Sequence, residues 1–100
     1  FKQVAVYRCN TISPILFPTI IYKYAVLYNN AYVVIESNDV GHVVCNGLYH
    51  DFEYENMHVS SAIKANALGT EMTRKVKRLG CSGIKDLLET QKLDIVWIYR

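Results

Sequence analysis

The carboxylate best placed for chemistry in this 100-residue chain is Glu36. It directly follows the apolar run Tyr32-Val33-Val34-Ile35, whose β-branched residues read as a core strand. A carboxylate at such a strand end is held by rigid backbone yet faces the crevice where α/β sheets bind ligands. A magnesium ligand requires that combination. The same position also fits the first solvated residue beyond a strand. Asp39 has a plainer reading, in which Asn38 or Asp39 caps the next helix and Gly41 eases the turn. His42, His50 and His58 are spaced too irregularly for a helical metal pair and are expected at or near the surface. The second feature is a basic run: Arg74, Lys75, Lys77 and Arg78 place four cations in five residues. Such a patch neutralises a phosphate backbone without reading bases, although a solvated face has the same composition.

Other chemistries find little support. Gly41, Gly47, Gly69, Gly80 and Gly83 form neither a GxGxxG turn nor a phosphate-gripping loop. No GxSxG elbow is present. Cys9, Cys45 and Cys81 are odd in number and far apart, which argues against a disulfide framework or a zinc site and for buried reduced thiols. Cys81 lies beside Ser82 at an expected helix start, where a dipole lowers a thiol pKa, but no base accompanies it. Net charge is only +2, so the total does not argue for nucleic-acid binding. No basic leader precedes an apolar run, and the apolar stretch 12–27 is broken by Pro14, Pro18 and Lys23. It is expected to form a core helix rather than a membrane span.

The elements that position these residues follow from periodicity. With 51% hydrophobic residues and 20% charged, one globular unit is expected. Residues 3–8 read as a strand. Ser13 and Pro14 then open a turn, and Pro18 marks either a kink or the true start of a helix in which Ile20, Ile21, Tyr24, Leu27 and Tyr28 recur. Asn29-Asn30 ends it. Residues 31–35 read as a strand covered on both faces. A second helix follows from Val40 with Val44, Leu48 and Phe52 on one stripe, and Gly47 marks close packing on the sheet. Residues 57–60 read as a short strand, and residues 61–80 fit a helix or an ordered loop. Ser82 caps a short helix through Glu89 with Ile84, Leu87 and Leu88 inward, and residues 93–99 form the last strand. This alternation predicts α/β architecture with largely parallel strands. Phe1 and Arg100 both abut expected strands, so the domain is expected to be truncated at both ends.

Four collinear blocks carry a resemblance. They are Gln3-Val4-Ala5-Val6-Tyr7-Arg8-Cys9-Asn10-Thr11-Ile12-Ser13, and Tyr32-Val33-Val34-Ile35-Glu36-Ser37-Asn38-Asp39-Val40-Gly41. Leu48-Tyr49 with Phe52-Glu53-Tyr54-Glu55 is the third. The fourth is Thr73-Arg74-Lys75-Val76-Lys77-Arg78-Leu79-Gly80-Cys81-Ser82 leading into Lys85-Asp86-Leu87. Together they resemble the large terminase subunit of T-even-like tailed bacteriophages over nearly all of the chain. The resemblance implies a ribonuclease H-like mixed sheet flanked by helices, here a partial nuclease domain over residues 1–100. It implies an enzyme that cuts concatemeric viral double-stranded DNA during packaging by two-metal hydrolysis, with Mg2+ or Mn2+ held by three acidic residues. The middle acid ends a central strand in an Ile-Glu sequence and carries over onto Glu36. The other two have no counterpart here, so the chain alone is expected to be inactive. ATP would serve only the packaging half that is absent. The resemblance further implies a portal and a small terminase subunit as partners, no membrane, and the cytoplasm of the infected bacterial host. Two other classes fit the residues: a small non-catalytic α/β module that binds DNA through its basic segment, and a doubly wound domain binding a small ligand at its strand ends.

Overall fold

A computed structural model describes residues 1–59 and 68–95. The expectations for residues 60–67 and 96–99 lie outside the described residues. Two compact units form: Thr11–Met72, and Phe1–Asn10 together with Thr73–Arg100.

The larger unit begins with a turn in which the Ser13 carbonyl accepts from the Leu16 and Phe17 amides, each at 3.0 Å. Helix α1 then runs Phe17–Leu27 with Pro18 in its first turn. There the missing amide costs no helical hydrogen bond and the fixed φ favours the helix. Ser13 therefore shapes the approach and does not cap the helix. Pro18 and Ala25 are buried and Ile21 packs against the core, whereas Tyr24, Leu27 and Tyr28 are exposed. The helix stops at Asn29 and Asn30, at φ 61° and 54°. Asparagine enters this left-handed region more readily than most side chains, so the two residues reverse the chain at modest cost.

Helix α2 spans Gly41–Asn46 and passes into a π-helical turn, Gly47–Asp51, closed by the Phe52 amide on the Gly47 carbonyl at 3.3 Å. Val44 and Leu48 of the expected stripe are buried and Phe52 packs against the core, with Cys45 buried beside them. Gly47 faces Pro18 of α1, not a sheet: a Cβ there would lie 2.8 Å from the proline ring. The core gathers Ala25, Cys45, Leu48, Tyr54 and Met57, flanked by Val33, Ile35 and Leu68.

The extended segments pair only at isolated bridges, so the expected mixed sheet is not formed as continuous strands among the described residues. Val33 bridges Met57 and Glu36 bridges Thr70, both in parallel, while Val59 bridges Leu68 and Gly69. The Val33 and Ile35 carbonyls accept from His58 and Thr70 respectively. Both partners thus lie along the same edge of 31–37, and pairing passes from one to the other within four residues. Along that segment, burial alternates. Ala31, Val33, Ile35 and Ser37 are half-buried, but Tyr32 and Val34 are each 58% exposed. The expectation that both faces are covered is corrected: one face packs on the core and the other does not.

In the smaller unit, Gln3 donates to the Asp94 carbonyl and Asp94 to the Phe1 carbonyl, each at 2.8 Å. Among the described residues, this parallel Lys2–Asp94 bridge is the pairing formed where strand 3–8 and the first residues of strand 93–99 are expected. Helix α3, Arg74–Glu89, is continuous, and Thr73 caps it by accepting from the Val76 amide at 3.2 Å. Ser82 and Cys81 are therefore mid-helix residues and not a helix start. Ile84 and Leu88 are exposed, and only Leu87 of the expected inward trio is half-buried. No helix among the described residues is long and apolar enough to cross a membrane.

Candidate metal and nucleic-acid sites

Glu36 is positioned by its backbone. The Thr70 amide donates to the Ile35 carbonyl at 2.7 Å and the Ser37 amide to the Thr70 carbonyl at 2.9 Å. These bonds fix the residue on both sides and leave its side chain on the exposed face with Tyr32 and Val34. Two glycines make the arrangement possible. A Cβ on Gly41 would lie 1.8 Å from the Glu36 carbonyl oxygen, so only glycine admits the chain reversal that follows. Gly69, at φ 78°, lies against the Ile35 carbonyl and Cys45 Sγ, where a Cβ would stand 2.5 and 2.8 Å away. It brings Thr70 into register with Glu36.

Asn38 completes the frame, and its role differs from the capping expected of it. Its Oδ1 accepts from the Met72 amide at 2.6 Å and its Nδ2 donates to the Met72 carbonyl at 3.2 Å. The side chain imitates a strand's two backbone bonds and pins residues 70–72 beside the Glu36 turn. Asp39 does not cap either: the N-cap position of α2 is Val40, and no side chain caps the helix. Asp39 sits at φ 49°, and its carbonyl accepts from His42 Nδ1. His58 Nδ1 meets Tyr32 Oη at 2.8 Å on the exposed face.

Glu36 stands without the company a hard cation needs. Among the described residues no three His, Cys, Asp or Glu side chains converge to hold a metal ion. Magnesium takes about six oxygens and is held by carboxylates supplemented with water or phosphate. One glutamate fits a ligand of such a site but does not make the site.

Arg74, Lys75, Lys77 and Arg78 are all exposed in the first two turns of α3, in the smaller unit. Cations there oppose the helix dipole, and Arg74 and Arg78 repel each other at i,i+4. Among the described residues the one ion pair is Lys85–Glu89 at 3.8 Å, so the four cations have no internal partner. A helix start that concentrates uncompensated positive charge is suited to an anionic ligand.

The cysteines divide. Cys45 is buried, and burial pushes its thiol above the usual range. Cys9 and Cys81 are exposed, which corrects the expectation that all three are buried. The sequence offered no sign of the Asn38 clamp or the Gly69 contact, since both join residues more than twenty positions apart.

The family model of the terminase RNase H-like domain matches residues 1–98. That span contains Glu36, its glycine and asparagine supports, and the basic start of α3. The chain belongs to the terminase RNase H-like domain family, a nuclease-type fold of the large subunit of the viral DNA-packaging machine.

Proposed function

We propose that Glu36 supplies one carboxylate to the divalent-metal site of a nuclease that cleaves concatemeric viral double-stranded DNA during packaging, by two-metal phosphodiester hydrolysis. The observation that carries this reading is the backbone clamp around Glu36: Thr70, Gly69, Gly41 and Asn38 all hold the one acidic residue that matches the family's Ile-Glu position. Mg2+ or Mn2+ is the proposed ion. Of the three acidic positions the resemblance implies, Glu36 alone has a counterpart in this sequence, so the chain by itself is proposed to be inactive. The four cations of α3 are proposed to hold the duplex backbone. The working environment is the cytoplasm of an infected bacterium, with a portal and a small terminase subunit as assembly partners of a T-even-like packaging machine.

The test uses the chain alone with supercoiled plasmid and Mg2+ or Mn2+. Substrate left intact in both metals is expected. Metal-dependent cutting that Glu36→Ala abolishes would contradict the proposed inactivity while supporting the role of Glu36. A second reading is a non-catalytic α/β module that binds DNA through α3, favoured by the four unpaired cations beside a single candidate ligand. It predicts salt-dependent duplex binding that requires no divalent metal and is unaffected by Glu36→Ala.

A further inference from the structure

The larger unit carries a concave site at the start of the 31–37 segment, the opposite end from Glu36. Asn30 and Asn56 immediately precede the extended segments joined by the parallel Val33–Met57 bridge, whereas Glu36 lies at the carboxyl end of its segment. Around these two asparagines lies an open cavity of about 340 Å3, near the lower bound of ligand pockets. Its wall is aromatic: Tyr22 stacks on Phe52 at 5.0 Å between centroids, and Tyr54 meets Tyr22 edge-on at 6.1 Å. Glu53 and Glu55, both exposed, complete the lining, which contains no lysine or arginine.

The cavity is pre-built. Tyr54 Oη donates to the Ala31 carbonyl, and Asn56 Nδ2 donates to the Asn30 carbonyl at 2.7 Å. These bonds tie the far wall to the end of α1, and the Tyr54 amide is anchored on the Leu48 carbonyl at 3.1 Å. A ligand would therefore meet rigid aromatic faces without ordering a loop.

We propose that this cavity receives a cationic side chain, arginine or lysine, projecting from a protein partner. Aromatic faces attract a guanidinium or ammonium group, and two carboxylates on the same rim add attraction of the same sign. Nucleotides suit it poorly. A phosphate would meet the carboxylates of Glu53 and Glu55, which repel it. The lining is thus opposite in charge to the basic start of α3.

The experiment titrates the 15N-labelled chain with the blocked peptide acetyl-Gly-Arg-Gly-amide. The glutamine analogue, spermidine and deoxyadenosine monophosphate are the comparison probes. The expected result is saturable amide shifts at Tyr22 and residues 52–56 with the arginine peptide. They weaken at least about fivefold in Glu53→Gln/Glu55→Gln, which touches only exposed side chains, and fade as salt rises. The glutamine peptide is expected to leave those signals in place. The proposal is overturned by no saturable shift there, equal response to the glutamine peptide, no weakening in the double variant, or a response to the nucleotide alone. Shifts produced by spermidine but not by the peptide would assign the cavity to free polyamines and equally overturn the protein partner.

Discussion

Gly69→Ala perturbs the frame beside Glu36 through two separate clashes and a strained backbone. Gly69 has φ 78°, and a side chain held in that region costs about 1–2 kcal/mol. The added methyl would lie 2.5 Å from the Ile35 carbonyl oxygen and 2.8 Å from Cys45 Sγ. The first neighbour is backbone and the second is a buried core side chain, so neither yields freely, and forced overpacking costs about 1–3 kcal/mol more. The sum, about 2–5 kcal/mol, is a large share of the roughly 5–15 kcal/mol that holds a domain together. Gly80→Ala is the control. Gly80 lies inside α3, and nothing stands within 4 Å of the place an alanine methyl would take, so the substitution is expected to stabilise by about 0.5–1 kcal/mol. Urea and thermal unfolding followed by circular dichroism read both variants. Gly69→Ala should lower the melting temperature by at least about 8 °C, and Gly80→Ala should leave it unchanged or raised. A Gly69→Ala chain that melts with the parent, or a Gly80→Ala chain that is the more damaged, would refute the geometry from which both numbers come.

Three further outcomes follow from the same contacts. Leu48 is fully buried at the centre of the core, so Leu48→Ala should lose about 2–5 kcal/mol in urea unfolding, and a loss below about 1 kcal/mol would contradict its placement. Burial raises the Cys45 thiol and the Tyr54 phenol above their ordinary values of 9.0 and 10.0. With folded pKa values above the unfolded ones, their contribution is complete below pH 9 and declines as pH rises through the folded values. The urea midpoint should therefore fall above pH 9, and fall less steeply in Cys45→Ala; a flat or rising midpoint would contradict it. Replacing Arg74, Lys75, Lys77 and Arg78 with glutamine should cut the salt slope of duplex binding by up to about 3.6, and an unchanged slope and affinity would remove α3 from the DNA surface.

Local chemistry makes parts of this fold legible from the sequence alone. Pro18 and Asn29-Asn30 bound α1 because ring geometry and tolerance of positive φ act within a few residues. The stripe of Val44 and Leu48 is readable for the same reason, and so is the polar exit after Ile35 that singles out Glu36. The start of α3 is not readable. Gly80-Cys81-Ser82-Gly83 resembles a break followed by a cap, yet the cap is Thr73 and the helix runs through the glycines. The side-chain clamp of Asn38 on Met72 and the Gly69–Ile35 approach are equally hidden, because each is decided by residues 34 positions apart. The run 31–35 suggests two covered faces. Composition reports its hydrophobicity correctly, but hydrophobicity does not say how much neighbouring structure lies over each side. The family resemblance gives Glu36 its proposed role, and the basic run stands out in the sequence, but neither reveals the aromatic cavity beside Glu53 and Glu55. That cavity depends on Tyr22 meeting Phe52 across thirty positions.

The central claim is that Glu36 is a metal-ligating carboxylate. Its most direct test is to replace Glu36 by glutamine in a full-length terminase large subunit carrying this domain, and to measure plasmid cleavage against Mg2+ or Mn2+ concentration. Glutamine preserves shape while removing the charge and replacing one acceptor oxygen by an NH2 donor, and Glu36 is exposed, so folding, ATP hydrolysis and DNA affinity should persist. Cleavage should fall by at least about 100-fold, the upper end of what losing a mere supporting group costs, with little recovery at high metal. Cleavage by Glu36→Gln at the parent rate and with the parent metal dependence would show that Glu36 is only the first solvated residue beyond its strand.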